Sequence, residues 1–485
     1  MLTAKKPSEV TKRQHEKTVD FQKCKLPRGP ASRVWWGWKQ LPNAVHILND
    51  PLSFFTKLGN RYGDMSTFLL GAFRRGYLIN NPRLIKDFLT NEHQDFVKAE
   101  WQMGPMREVT GEGLLSSSGE LWKRQRRLIQ AAFRRDAFPE YGRFSVDTTE
   151  RFIQTWEDSA EFNLTDEMGR LTMMTSIRNN LGVEPGAVSS QLAEAVLEIS
   201  DDLKTDMESI IPLPKWMRRK ASARKEKNLH LLNSFIDNLI EDRKNAKIQN
   251  PFNVLDRLLS AIDEEGDGVG MAPSLARDEA KTMMIAGNHS VGATLSWTLT
   301  MLTRHPDVFQ KVEREVLNHL GDRSAVASDL PHLPYLRQVV DETLRLYPSA
   351  WILFCRQAIR NATIGNYKMV KGSWVFIIPF VTHRDERFFP DPLKFDPDRF
   401  SPERVNDIPQ HAYFPFGNGP HVCVGKMLAL IQIPLMLATI IQNYKVEGIN
   451  TNQEIRIERD LAIRPAGGSP VRVTKRTESE KFVAA

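Results

Sequence analysis

The stretch YFPFGNGPHVCVGKMLA, residues 413–429, decides how the rest of the chain is read. An aromatic and proline run (Phe414, Pro415, Phe416) leads into Gly417, Asn418 and Gly419, then His421, Cys423, Gly425 and a long apolar segment. Glycines let a loop bring its backbone close to something flat or bulky. A cysteine just before a helix N-terminus gains amide donors and a dipole that favour its thiolate form. A soft metal ligand needs both. Taken alone, a cysteine is more often a small buried core residue, so the remainder of the chain has to decide between the two.

Composition sets wide bounds. The chain has 485 residues, 41% hydrophobic and 26% charged, an ordinary globular balance that excludes fibrous and disordered classes. Length alone suggests about three domains. Cys24, Cys355 and Cys423 are too few and too scattered for a disulfide framework or a cysteine zinc site, and they fit a reducing, cytoplasmic setting. A formal charge of +7 fits nucleic acid, an anionic membrane or an acidic protein partner equally, so charge does not choose. Residues 1–25 read as a flexible polar lead, without the apolar core of a signal peptide or membrane anchor. The longest apolar run, 427–441, is too short to span a bilayer and contains Gln432 and Pro434; it reads as a buried helix kinked at the proline.

Taken in order, Trp35, Trp36 and Trp38 lie in an irregular segment laid on the body of the fold. A helix over 52–62, a hairpin over 65–79 and a helix over 82–89 follow, and 96–115 reads as an irregular binding segment. Trp122 and Arg126 are four apart and share a helix face, where an indole and a guanidinium can meet one carboxylate; a core tryptophan beside a solvated basic helix explains them equally. Lys123, Arg124, Arg127, Arg134 and Arg135 make this region basic, a docking surface for an acidic partner or simply a solvated face. Helices continue over 149–247, interrupted by prolines at 211–216. A long helix over 274–304, capped by Ser274, carries Gly287 and Gly292, which mark close approach or a local widening of the turn, and the adjacent polar pair His289 and Ser290. Glu342 and Arg345 are spaced for an ion pair, and their apolar flanks argue that it is buried and needs a further partner, for which Arg399 is the candidate. Between them lie Arg356 and a second hairpin over 363–380.

Five motifs in this order resemble the cytochrome P-450 family of haem-thiolate enzymes: Trp122 with Arg126, AGNHS at 286–290, Glu342 with Arg345, PDRF at 397–400, and FGNGPHVCVG at 416–425. The Glu342 and Arg345 spacing alone is very weak; the last motif alone is strong. The resemblance runs from about Leu26 onward, so one domain, 26–485, is expected to wrap one haem, overruling the length estimate. It implies a mainly α fold with small β-sheets and heme b (iron protoporphyrin IX) as cofactor. It makes Cys423 the proximal thiolate ligand of the iron. Trp122, Arg126, Arg356 and His421 then meet the haem propionates, with Phe416 shielding the sulfur and the loop glycines, Gly425 among them, beside the cofactor. Glu342, Arg345 and Arg399 become a structural triad bracing the proximal side.

The family usually places an acidic residue and a threonine in the distal helix, where they organise water and deliver protons. Here those positions, just after Gly287, are His289 and Ser290. Serine keeps the hydroxyl, and a histidine relays protons near neutral pH. The resemblance implies a soluble, bacterial-style monooxygenase that inserts one oxygen atom from dioxygen into an apolar substrate such as a lipid or terpene. Its electrons are expected from a separate ferredoxin or flavodoxin with its reductase. Trp101, Met103, Met106, Ile285, Ala286, Ala350, Trp351, Ile352 and Phe354 are the expected pocket. Neither nucleic acid nor a transmembrane anchor is expected, and the chain is expected to be a monomer. The departure at His289 keeps a haem isomerase or dehydratase and a peroxygenase open; a non-catalytic haem sensor is the reading from another class.

Overall fold

The computed structural model describes residues 24–31, 41–70, 74–91, 95–184, 186, 188, 190–208, 219–245 and 252–481. Trp35, Trp36, Trp38, the 211–216 break and residues 1–23 of the polar lead lie outside them. The lead's last residues are part of the fold: Cys24 is buried, and the Lys25 N–H donates to Asn366 O at 2.9 Å.

Seven helices build the site. In chain order they are α1 Glu100–Thr110, α2 Gly119–Ala132, α3 Leu164–Leu181, α4 Ser190–Glu208, α5 Pro273–Arg304, α6 Pro334–Leu346 and α7 Lys426–Asn443. Helix α5 is buried around most of its circumference, and Leu295, Trp297, Leu299 and Leu302 on it are fully buried. It crosses α3 at Gly292, where an added Cβ would lie 2.8 Å from Thr172 Oγ1. Helix α7 carries Pro434 inside it. Among the described residues α7 is the one helix long and apolar enough to cross a membrane, and 78% of that span is buried inside the fold.

The main sheet joins β1 Met65–Leu70, β2 Arg74–Ile79, β3 Phe96–Lys98, β4 Arg356–Ala358 and β5 Trp374–Ile377 in the order β1-β2-β5-β4-β3. The expected hairpin over 65–79 is present, with Met65 opposite Ile79. Strand β2 then runs parallel to β5, and β4 joins β5 to β3 antiparallel, setting Lys98 directly opposite Arg356. A small ribbon, β6 Ile457–Glu458 with β7 Arg464–Pro465, lies near the C-terminal end.

Three expectations are corrected. Residues 96–110 of the 96–115 segment are ordered as β3 and α1: burial of Gln102, Met103, Met106 and Val109 outweighs Gly104 and Pro105. The second hairpin is shorter than expected, Ala362–Ile364 against Tyr367–Met369, because a turn at Gly372 (φ +81°) sends the following strand into the main sheet as β5. Ser274 does not cap α5; the helix starts one residue earlier on Pro273, whose missing N–H costs nothing in a first turn.

Candidate functional site

The cysteine loop folds back on itself, with the Cys423 N–H donating to Phe416 O at 2.9 Å. Gly419 has φ +70°, and a Cβ there would lie 2.4 Å from Leu89 O, so only glycine permits the close approach. Burial pushes the Cys423 thiol pKa up; hydrogen bonds from the Gly425 and Lys426 amides and the charge of Arg126 pull it down. These are the donors a thiolate needs at the start of α7.

Cys423 shares a cavity with Lys98, Arg126 and Arg356. Trp122 and Arg126 share one face of α2: the indole lies 3.9 Å, centroid to centroid, from the His421 ring, and Arg126 Nη1 donates to Val422 O at 2.8 Å. Arg356 Nη1 donates to Phe354 O at 2.9 Å. Opposite it, Lys98 Nζ reaches the carbonyls of Leu114, Leu115 and Ser117 at 3.1, 2.6 and 3.0 Å. Burial pulls Lys98 down to about 7, helped by Arg356, and pulls Arg356 down to about 10. Like charges facing each other across a ladder are destabilising, and Lys98, Arg126 and Arg356 form no ion pair among the described residues. This donor set fits a group bearing carboxylates, as haem does.

The bracing triad is assembled. Glu342 and Arg345, both fully buried, form a two-pronged pair at 2.6 and 2.8 Å. Arg399 Nε lies 3.4 Å from Glu342 Oε1, and Arg345 also donates to the carbonyls of His383, Pro392 and Lys394. The triad thereby ties α6 to the loop that leads toward Cys423.

A cavity of ≈ 580 Å³ unites these parts. Cys423, Trp122, Arg126, Arg356, Phe416, His421 and Gly425 line it, as do Gly287, His289 and Ser290 from α5. Of the expected pocket residues, Trp101, Met106, Ile285, Ala286, Ala350, Trp351, Ile352 and Phe354 also line it, whereas Met103 is packed away from it. In the α1 helix Gln102 and Met106, four apart, face the cavity in its place. α5 runs as unbroken α-helix past Gly287, without a widened turn. A Cβ at Gly287 would lie 3.7 Å from Ser176 Oγ.

Ser290 Oγ donates to Ala286 O at 2.8 Å. Its own carbonyl accepts from Thr294 Oγ1 at 2.8 Å and Ser349 Oγ at 2.9 Å. Thr294, Ser349, Lys98 and Gln102 escaped the sequence reading. Lys98 offered one signal, a lysine closing a strand before an apolar helix; the other three had none, because only the fold brings them to the cavity. The basic run on α2 is largely neutralised within the chain: Arg127 pairs with Asp263 at 2.7 Å, Arg124 with Asp267 at 3.0 Å and Lys123 with Glu120 at 2.7 Å.

A helical body around one cavity that joins a cysteine, basic side chains and a polar helix wall is compatible with the class of haem-thiolate enzymes. The sequence model described as Cytochrome P-450 matches residues 27–469. The chain is 31% identical to cyclooctatin synthase of Streptomyces melanosporofaciens, over 89% of this chain and 94% of that protein. It is 28% identical to pentalenene oxygenase of Streptomyces avermitilis, over 87% and 91%. The haem domain of cytochrome P450DA shares the fold with a TM-score of 0.82 at 23% identity, covering 95% of this chain and all of that one. The chain belongs to the cytochrome P-450 family. It is a P-450 monooxygenase with haem b as cofactor, and enzymes of this kind need a redox partner and bind apolar substrates.

Proposed function

We propose that Cys423 is the proximal ligand of the haem iron, and that the enzyme inserts one oxygen atom of dioxygen into a terpene-like substrate with electrons from a separate ferredoxin or flavodoxin and its reductase. The observation that carries this reading is the one cavity in which Cys423, with two amide donors, meets partly buried cations that have no carboxylate partner among the described residues. The names of the two Streptomyces relatives, a cyclooctatin synthase and a pentalenene oxygenase, support the substrate class. One haem-binding domain spans 26–485 in this reading.

When bound, haem b supplies an iron centre that activates dioxygen. Trp122, Arg126, Arg356 and His421, joined by Lys98, hold its carboxylates. Phe416 and Gly425 shape the space around the sulfur, and the Glu342, Arg345 and Arg399 triad keeps the loop in place. Across the cavity, the Ser290 hydroxyl can exchange the Ala286 carbonyl for a cavity partner and pass a proton inward. His289 stands next to it, and burial lowers the pKa of its imidazole. Gly287 leaves that wall low.

The carbon monoxide spectrum of the reduced protein tests the ligand: Cys423→Ala should abolish the thiolate signature, and an unchanged spectrum refutes the assignment. Ser290→Ala should raise peroxide release per NAD(P)H consumed several-fold; unchanged coupling removes Ser290 from the proton path. Turnover only with peroxide would refute the monooxygenase reading.

A further inference from the structure

The cavity has a second polar end that none of the roles above requires as a set. His289 of α5, Lys204 of α4, and Arg459 and Asp460 of the turn between β6 and β7 all line it. Three elements distant in sequence thus bring hydrogen-bonding groups to a wall otherwise made of side chains such as Leu48, Met207 and Leu461. His289 Nε2 is enclosed and lacks a hydrogen-bond partner among the described residues. The charged groups that act on this imidazole are Asp460, Arg464 and Asp201.

At this second end Lys204 and Arg464 already have carboxylate partners. Glu458 is shared by Lys204 at 3.4 Å and Arg464 at 3.1 Å, and Arg464 also pairs with Asp460 at 3.3 Å. An incoming carboxylate would be repelled by Asp460. A pure hydrocarbon would leave the imidazole nitrogen buried and unpaired, which costs free energy. A hydroxyl satisfies it, since it donates or accepts as the imidazole tautomer requires. The long contact of Lys204 leaves that ammonium donors to spare.

We infer that the substrate is an apolar skeleton already bearing a hydroxyl, which docks at the His289 and Lys204 end while the carbon to be oxidised lies toward Cys423. This rests on the terpene-like reading above and narrows it. A hydroxyl there extends a proton path through the imidazole, because it both accepts and donates. The reaction that supplies such a substrate leaves an alcohol on a hydrocarbon frame: an earlier hydroxylation, or a cyclisation closed by water.

The test titrates the haem-loaded protein with farnesene, farnesol and farnesoic acid, and with the matching C20 set, following the change in haem absorption. In at least one set the alcohol should bind about 10-fold or more tighter than both the hydrocarbon and the acid. His289→Leu should bring the alcohol-to-hydrocarbon ratio to about 3-fold or less, read only in protein that keeps the thiolate signature with carbon monoxide. Lys204→Met should lower the ratio as well and carries the test if His289→Leu fails to load haem. Equal affinities for hydrocarbon and alcohol in both sets, or a ratio that survives the substitutions, overturn the inference alone. A preference for the acid overturns it in favour of an anionic ligand. If no compound moves the absorption of a protein whose thiolate signature is intact, the apolar-substrate reading falls and this inference with it.

Discussion

Glu279 sits on α5 with no exposed surface, its two oxygens taking the Leu114 N–H at 3.1 Å and the Gln125 amide at 2.8 Å. Burial raises its pKa from 4.5 to about 8, although those two hydrogen bonds and the nearby Lys98 pull the other way. The folded state therefore holds a proton that the unfolded chain has lost. Stability from this group is full below the unfolded pKa of 4.5 and is lost as pH rises through about 8. We expect the thermal midpoint to fall between pH 5 and 8, and Glu279→Gln, which cannot ionise, to flatten that slope whatever it does to the absolute midpoint. Equal slopes in a series of thermal melts would show that Glu279 is ionised in the fold. The side chain anchors the turn that also receives Lys98, so its protonation bears on the carboxylate-seeking end of the cavity.

At the scale of elements, the crossing of α5 over α3 sets the distal wall. Gly292 lets the helices touch, and Thr172 beneath it donates to Met168 O at 2.8 Å and Asn288 Oδ1 at 3.0 Å. Gly292→Ala gains about 1 kcal/mol of helix propensity but places a methyl 2.8 Å from Thr172 Oγ1. Overpacking of that kind costs about 1–3 kcal/mol. A net loss of up to about 2 kcal/mol is expected from denaturant midpoints, with loosened substrate binding since Gly287, His289 and Ser290 ride on the same helix. A more stable variant would mean that α3 yields. Local pattern found α5 readily, because a long apolar helix has only the interior to go to. It misread α1, where Gly104 and Pro105 argue for a loop, since the compensating burial comes from neighbours that the local pattern does not contain.

Across the whole molecule, the Glu342, Arg345 and Arg399 triad ties α6 to the loop preceding Cys423: Glu342 Oε1 also accepts the Asp396 N–H at 2.9 Å, and Arg399 Nη2 donates to Asp391 O at 2.8 Å. Glu342→Gln leaves two arginines buried without their counter-charge, a loss of about 3–5 kcal/mol. Lower denaturant midpoints together with poor haem retention are expected, and a variant that melts like the wild type would refute the structural role. Motifs with local spacing were legible in the chain itself: the cysteine loop, the helical pair Trp122 and Arg126, the Glu342 and Arg345 pair, and the polar step at His289 and Ser290. Each depends on residues at most about ten positions apart, where helix geometry or a glycine loop leaves little choice. What only the tertiary structure decided was convergence. Lys98 faces Arg356 across a ladder between strands more than 250 residues apart, Ser349 reaches the carbonyl of Ser290, Met103 turns inward where Gln102 turns to the cavity, and Lys204, His289 and Asp460 line it from three separate elements. Strand register and helix packing are set by the sum of buried contacts over the whole chain, so no local pattern carries them.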